Sequence, residues 1–180
     1  MKFTLRTLLA VCSLALAGTT LAEGKVADPS KFVTTHVSVT GAVEHHLNLS
    51  VDDLRKFPPQ QIGEVPLVCQ SGANMGKLEN FKGVLLRDIL EKAKVKAPEH
   101  NDVKKMAVIA SASDGYKVVF SWTEIFNSPN GEGVIVFFEK DGQPLADDEG
   151  RIAMVSTKDT RTGPRHVKWL QGIEVRKIVD

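Results

Sequence analysis

The sequence predicts a β-rich α+β domain with a few short helices, and three patterns support this fold class. Residues 36–43 alternate apolar and polar side chains, as a half-buried strand does. Residues 81–93 place apolar side chains on one helical face and charged side chains opposite. Beyond residue 102, short strand-like runs follow one another, and Asp114-Gly115 between two of them indicates a tight hairpin turn.

The first half of the chain combines short strands and helices. Ser50 and Asp53 have the spacing of a helix capping box, and Pro58-Pro59 ends the short helix that they begin. The predicted elements in this half are strands at 36–43, 47–49 and 65–69, the short helix after Ser50, and an amphipathic helix at 81–93.

The second half is predicted to be mostly strands. The β-branched and aromatic residues that favour strands recur there between Asp-Gly and other turn signals. The predicted strands are 107–112, 116–120, 133–139, 152–156 and 173–179, with a helical turn at 122–126 and a turn at 141–142. No repeat or second domain boundary is evident.

Residues 1–22 are predicted to be a secretory signal. Basic residues precede a short apolar run at 7–18, and Thr20-Leu21-Ala22 offers a small-x-small cleavage site. The run is too short to span a bilayer well, so cleavage is expected rather than anchoring. Cys12 lies in a context that fits a lipoprotein site poorly, which makes a lipid anchor the weaker alternative. We therefore predict a periplasmic protein with a single domain at 23–180.

The charge of the chain excludes two classes of partner. Loss of Lys2 and Arg6 with the signal changes the formal net charge from +1 to −1. A nearly neutral protein has no overall field that attracts nucleic acid or membrane. Any site for an anion must therefore be a local arrangement of cations.

Cys69 is the one cysteine of the predicted mature chain, so it has no partner for an intramolecular disulfide. An unpaired thiol in an oxidising compartment is exposed to oxidation unless it is buried or ligated. Two interpretations remain open. Cys69 is a soft thiolate ligand for a metal, or it is a small apolar residue of a strand.

A candidate functional loop at 156–164 leads into a dense cationic cluster of Arg165, His166 and Lys168. Arginine suits bidentate phosphate contacts, lysine supplies a point charge, and histidine offers a donor or an acceptor. In an extended strand Arg165 would face away from His166 and Lys168, so a turn at Gly163-Pro164 would be needed to reorient it. The alternative is a solvated strand end whose long side chains pack on Trp169.

Several stretches together resemble a known family. They are residues 65–69, 81–90, 113–116, 141–145 and 163–170. In that order they are similar to the molybdopterin-binding domain of sulfite-oxidase-type enzymes, and the resemblance extends from about Val37 to Val175.

The resemblance implies a compact mixed fold that holds a molybdenum cofactor. Cys69 matches the cysteine that ligates the metal, and Arg165, His166 and Lys168 match positions that hold the pterin and its phosphate. It also implies oxygen-atom transfer to or from a small-molecule substrate. Because the sequence has no Cys-x-x-Cys-His haem motif, electrons would pass to or from a separate carrier such as a periplasmic cytochrome.

The sequence departs from the family pattern at several positions. Phe138 stands at the predicted match for a tyrosine beside the metal, and Glu149 stands where a histidine that faces the cofactor is expected. The arginine pair that follows the metal cysteine is missing from 70–74, and 155–159 replaces a Val-Pro-Gly loop. These departures disfavour a sulfite oxidase, because an oxyanion substrate needs cations.

Two hypotheses from different classes remain. The first is a periplasmic molybdopterin oxidoreductase of unknown substrate. The second is a catalytically inactive ligand-binding, redox-sensing or interaction module that keeps the fold. A zinc site at His36, His45 and His46 and a thiol protease pairing Cys69 with His166 rank lower, since neither has the further residues that its chemistry requires.

Overall fold

The computed structural model describes residues 28–179, so the predicted signal at 1–22, with Cys12, lies outside the described residues. Two sheets of five strands form the framework. The strands are β1 (His36–Gly41), β2 (Leu47–Ser50), β3 (Pro59–Val68), β4 (Asn74–Leu85), β5 (Met106–Ala112), β6 (Lys117–Ser121), β7 (Val134–Lys140), β8 (Gln143–Pro144), β9 (Ala153–Ser156) and β10 (Leu170–Lys177).

Short helices connect the strands. The α-helices are α1 (Val51–Leu54), α2 (Leu86–Ala93) and α3 (Trp122–Phe126), and 3₁₀ turns lie at Pro29–Phe32, Asp102–Lys105, Pro129–Gly133 and Gly163–Arg165. The predicted β-rich α+β class is confirmed.

The first sheet has the order β2-β1-β10-β5-β6, and the second has the order β3-β4-β7-β8 with β9 paired to β7. The one parallel pairing that the structure shows between its named strands joins β1 to β10, with Val39 opposite Ile173. Side chains from both sheets and all three helices form the main hydrophobic core. A smaller core covers the other face of the second sheet.

Strand β7 is buried on both faces, and this decides which of its side chains lies near the cationic cluster. Val136 and Phe138 belong to the main core, whereas Ile135 and Phe137 belong to the smaller one. Adjacent residues of a strand point to opposite faces of the sheet. Phe137 and Phe138 therefore have different neighbours although both are almost fully buried.

Several local predictions are confirmed. Ser50 caps α1, with the Asp53 amide donating to its hydroxyl at 3.2 Å and the Asp53 carboxylate accepting from the Ser50 amide at 3.2 Å. The Asp114-Gly115 turn joins β5 to β6, and 122–126 forms α3.

The helix predicted at 81–93 begins five residues later in the structure. Residues 81–85 belong to β4, where Leu85 pairs with Ile135 of β7, and the helix begins at Leu86. The apolar residues of this stretch fit either structure. Pairing with both β3 and β7 favours the strand.

Within residues 28–179, no helix has the length and apolar character needed to span a bilayer.

Candidate functional site

Cys69 follows the last residue of β3 and begins a tight turn. Its amide donates to the Ala73 carbonyl at 2.9 Å, and the Gly72 amide donates to the Cys69 carbonyl at 2.8 Å. The side chain is partly exposed. Hydrogen bonds from the Ser71 amide and hydroxyl, and then from the Gln70 amide, outweigh partial burial and lower the pKa of the thiol. The turn therefore favours the thiolate, which is the form that binds metals.

The loop before the cationic cluster is joined to the end of β3 by Thr162. This buried side chain donates to the Pro66 carbonyl at 2.5 Å and accepts from the Val68 amide at 3.0 Å. The hydroxyl therefore pairs a carbonyl and an amide that would otherwise lack partners at the strand end.

Gly163 makes the closest approach of the loop to Cys69. A β-carbon at position 163 would lie 2.9 Å from the Val68 carbonyl oxygen and 3.5 Å from the Cys69 Cα. Only glycine fits this approach without moving the backbone. The fold thus brings the cysteine and the start of the cationic cluster together.

The side chain of Arg161, from the loop before the cluster, lies against the turn that Cys69 begins. Its Nη2 atom is 3.2 Å from the position of a β-carbon on Gly72, and Gly72 has a φ of +92°. The side chain of Arg161 is exposed, and it forms no ion pair with any residue in the range 28–179. The sequence places Arg161 in the candidate functional loop at 156–164, but its position next to the Cys69 turn depends on the contact between two loops.

Arg165 binds two carboxylates. Its Nε is 2.6 Å from Asp159 Oδ2, its Nη1 is 2.9 Å from Glu124 Oε1, and its guanidinium lies 4.4 Å from the Phe120 ring centroid. Burial lowers the pKa of Arg165, but the two carboxylates outweigh it and raise the pKa above its ordinary value. The 3₁₀ turn at Gly163–Arg165 reorients this side chain toward Asp159 and Glu124.

His166 and Lys168 share one carboxylate. His166, whose side chain is 8% exposed, binds Glu149 through Nε2, and Lys168 Nζ lies 3.2 Å from Glu149 Oε2. Burial raises the pKa of Glu149, but the hydrogen bond and charge of His166, followed by those of Lys168, outweigh it and leave the pKa below its ordinary value. The carboxylate that replaces the expected histidine is therefore paired with the imidazole of His166 and the ammonium group of Lys168.

An open cavity of about 180 Å³ borders these side chains. It is lined by Asp114, Tyr116, Gly163, His166, Lys168 and Trp169. Gly163, which lies against the Cys69 backbone, lines this cavity, whereas Arg165 points toward Glu124 and Asp159. If Cys69, Arg165 and Lys168 all bound one cofactor, they would line a single cleft. They do not, because Arg165 turns away from the cavity toward its two carboxylates.

Phe138 does not border the cationic cluster. It lies in the main core beneath Arg55, whose guanidinium is 5.7 Å from the ring centroid, and it lines a separate cavity. Of these two adjacent residues it is Phe137 that contacts the cluster, stacking on His166 with 6.1 Å between the ring centroids. The expectation that Phe138 lies near the site is wrong, because consecutive residues of β7 face opposite cores.

The described residues fit a molybdenum cofactor at its metal end. Cys69 offers a partly exposed thiol whose pKa is lowered, which is the form required for a soft metal ligand. At the phosphate end, Arg165, His166 and Lys168 are each paired with a carboxylate. A phosphate would compete there with Glu124, Asp159 and Glu149.

Comparison with known proteins identifies the fold and the family. A solved structure, the sulfane dehydrogenase SoxCD from Paracoccus pantotrophus, is similar to this chain with a TM-score of 0.60 and 19% identity. The match covers 84% of this chain and 40% of that chain, so this protein spans less than half the length of the SoxCD chain. At this identity the likeness shows a shared fold. No curated protein sequence matches the chain.

A family model supplies the closer assignment. The model described as oxidoreductase molybdopterin binding domain matches residues 24–179, which include all of the described residues 28–179. Molybdopterin is the cofactor of this family, as the resemblance of the sequence implied. The chain belongs to the family of the oxidoreductase molybdopterin-binding domain, with the sulfite-oxidase-type fold.

Proposed function

We propose that this protein is an exported molybdopterin-dependent oxidoreductase in which Cys69 ligates the metal. The observation that carries the proposal is the turn at Cys69, where Ser71 and Gln70 stabilise the thiolate and Gly163 joins the turn to the cavity of His166 and Lys168. A metal ligand has to be deprotonated, held in place and reachable, and this turn meets those requirements.

The protein would orient the cofactor and set its electrostatic surroundings. When bound, the cofactor supplies two-electron oxygen-atom transfer. Tyr116 shapes one wall of the neighbouring cavity, with its hydroxyl donating to the Pro164 carbonyl at 2.7 Å. Cys69 would hold the metal, and His166 and Lys168 would face the pterin across the cavity.

Electrons would pass between this protein and a separate carrier in the periplasm, such as a cytochrome. The similar structure is named a sulfane dehydrogenase, and a dehydrogenase must deliver its electrons to an acceptor. The predicted signal at 1–22 supports an exchange outside the cytoplasm. The substrate is a small molecule that enters the open cavity.

Metal analysis of protein purified from the periplasm tests the proposal. We expect about one molybdenum and one molybdopterin per chain in the wild type, and loss of molybdenum in Cys69→Ser. Met75→Ser is the matched control, since it removes an exposed sulfur side chain from the same β3–β4 hairpin. Molybdenum retained in Cys69→Ser, or absent from folded wild-type protein, would overturn metal ligation by Cys69.

A second function is favoured by one observation. Because carboxylates pair with Arg165, His166 and Lys168, the cluster carries little net positive charge for a phosphate or an anionic substrate. We therefore keep the alternative of a non-catalytic module that binds a ligand, senses redox state or contacts another protein of the envelope. Folded periplasmic protein that lacks molybdenum, with the same properties in Cys69→Ser, would support this alternative.

A further inference from the structure

The loop at 158–168 carries five basic residues, and Arg161 differs from the other four in its lack of a carboxylate partner among residues 28–179. Lys158 pairs with Glu132, Arg165 with Glu124 and Asp159, and both His166 and Lys168 with Glu149. Arg161 has no carboxylate within ion-pair distance among residues 28–179. The positive charge that is available in this loop is therefore at Arg161, before the cluster rather than in it.

The position of Arg161 is determined by the contacts that join its loop to β3. Thr162 binds the backbone of Pro66 and Val68, and Gly163 abuts Cys69. With the next two residues held in this way, the guanidinium of Arg161 lies over Gly72, 3.2 Å from the position of a β-carbon there. Any side chain at position 72 would occupy this space.

Gly72 and Cys69 are the two ends of one turn, closed by the hydrogen bond from the Gly72 amide to the Cys69 carbonyl at 2.8 Å. A guanidinium over Gly72 therefore lies against the turn that Cys69 begins, although Arg161 is far from Cys69 in sequence. The residues after Cys69 supply no cation of their own, since the turn reads Gln70-Ser71-Gly72-Ala73.

Unlike Arg161, the other arginines among residues 28–179 each have an acidic neighbour. Arg55, Arg151, Arg165 and Arg176 each bind a carboxylate, and Arg87 lies close enough to Glu132 to lower its pKa. An exposed, unpaired guanidinium keeps all its donors for a ligand and suits the bidentate geometry of an oxyanion. Arg161 meets these conditions beside the proposed ligand site.

We propose that Arg161 binds the negatively charged oxygen atoms of the ligand that occupies the Cys69 turn, and that Arg165, His166 and Lys168 serve mainly to hold their own loop in place. The ligand class is an oxyanion. Its source is either the phosphate of the cofactor or a separate oxyanion substrate. The inference rests on the proposed function only in taking the Cys69 turn as the ligand site.

The first test uses cofactor-free protein, in which Cys69 is the one thiol after signal cleavage. The rates of its reaction with the dianionic reagent 5,5′-dithiobis(2-nitrobenzoate) and the neutral reagent 4,4′-dithiodipyridine are measured at low ionic strength. We expect Arg161→Gln to slow the anionic reagent about threefold more than the neutral reagent, as loss of a unit charge about 10 Å away in water would. Any change in the thiolate fraction affects both reagents alike, so the ratio of the two rates reports the attraction of the anion.

Lys158→Gln is the matched control, because it removes one positive charge from the same loop at a position already paired with Glu132. It should leave both rates unchanged. Arg161→Lys should retain most of the anionic rate. An equal effect of Lys158→Gln and Arg161→Gln, or no effect of Arg161→Gln, would overturn the proposal.

The second test separates the two sources of the oxyanion. Sulfate is added as a probe anion to cofactor-free protein, and its protection of Cys69 from the neutral reagent is measured. Cofactor content is measured in protein purified from the periplasm. Loss of cofactor in Arg161→Gln assigns the arginine to the cofactor phosphate. Unchanged cofactor with loss of sulfate protection assigns it to a separate oxyanion.

Unchanged cofactor together with unchanged sulfate protection would refute the role of Arg161. A failure of the proposed function is distinct from this result. Wild-type protein without molybdenum would remove the oxidoreductase, whereas the reagent and sulfate experiments would still report whether Arg161 attracts oxyanions to the Cys69 turn.

Discussion

Gly163 lies directly against Cys69, with 3.5 Å between the Cys69 Cα and the position that a β-carbon on Gly163 would take. Such a β-carbon would also come within 2.9 Å of the Val68 carbonyl oxygen, and this contact joins the cationic loop to the cysteine turn. The relationship depends on the absence of a side chain, so it can be disturbed by adding a single methyl group.

Gly163→Ala should therefore separate the loop from the Cys69 turn. We expect a loss of about 1–3 kcal/mol in the free energy of unfolding, the usual cost of overpacking, together with reduced molybdenum content. Urea unfolding and metal analysis measure the two effects. Gly63→Ala is the control, because no atom lies within 4 Å of its β-carbon position. Equal stabilities of the two variants would contradict the expected crowding.

Thr162→Val should weaken the same junction by a different route. The substitution keeps the shape of the buried side chain but leaves the Pro66 carbonyl and the Val68 amide without the partner that they share. We expect a cost of about 1–3 kcal/mol in the free energy of unfolding, measured by urea titration. Thr160→Val, at an exposed position nearby, should cost much less, and Thr162→Ser should retain most of the wild-type stability.

Local features of this fold could be predicted from the sequence because their partners are close in the chain. The Ser50 and Asp53 capping box and the Asp114-Gly115 hairpin turn depend on spacings of only a few residues. The resemblance of dispersed motifs also predicted the family that the comparison confirms. Cys69 and the cluster from Arg165 to Lys168 were identified as candidates in the same way.

The charge state of the candidate site could not be predicted in this way. Arg165 pairs with Glu124, and His166 pairs with Glu149, only because the topology brings separate segments together. The same holds for Arg161, whose place beside the Cys69 turn depends on the contact between two loops. A cluster of basic residues in the sequence thus did not reveal which of its charges are available to a ligand.

The sequence also did not show which face of the second sheet each of Phe137 and Phe138 occupies. A strand with one solvated face alternates apolar and polar residues, which shows the side that is buried. Strand β7 is buried on both faces, so its apolar run carries no such alternation. The sequence therefore did not show that the side chain of Phe138 points to the face of the sheet opposite the cationic cluster.

Glu149→Gln should remove part of the stability that the protein has at neutral pH and loses in acid. The folded-state pKa of Glu149 is lowered from an ordinary value of 4.5, so its ionised form stabilises the fold at neutral pH. This contribution is present above pH 4.5 and is lost as the pH falls through the folded-state pKa. We expect Glu149→Gln to be less stable than wild type by about 1–3 kcal/mol at pH 7, with the difference narrowing in acid.

Urea unfolding at several pH values between 7 and 3 tests this dependence. Glu64→Gln is the control, since Glu64 forms an exposed ion pair with Lys77 and should contribute little at any pH. A stability difference between Glu149→Gln and wild type that stays constant with pH would show that Glu149 acts through packing rather than through its charge.

Ser71→Ala should raise the pKa of the Cys69 thiol. The Ser71 side chain supplies one of the hydrogen bonds that stabilise the thiolate, whereas the amides of Ser71 and Gln70 remain in the variant. The pKa should therefore move upward only part of the way toward its ordinary value. The pH dependence of alkylation by iodoacetamide, a neutral reagent that reacts with the thiolate, measures the shift. Gln70→Ala keeps the backbone donor and should leave the profile unchanged. A profile that is the same for Ser71→Ala and wild type would mean that the backbone amides alone hold the thiolate, and the metal content of Ser71→Ala should then equal that of the wild type.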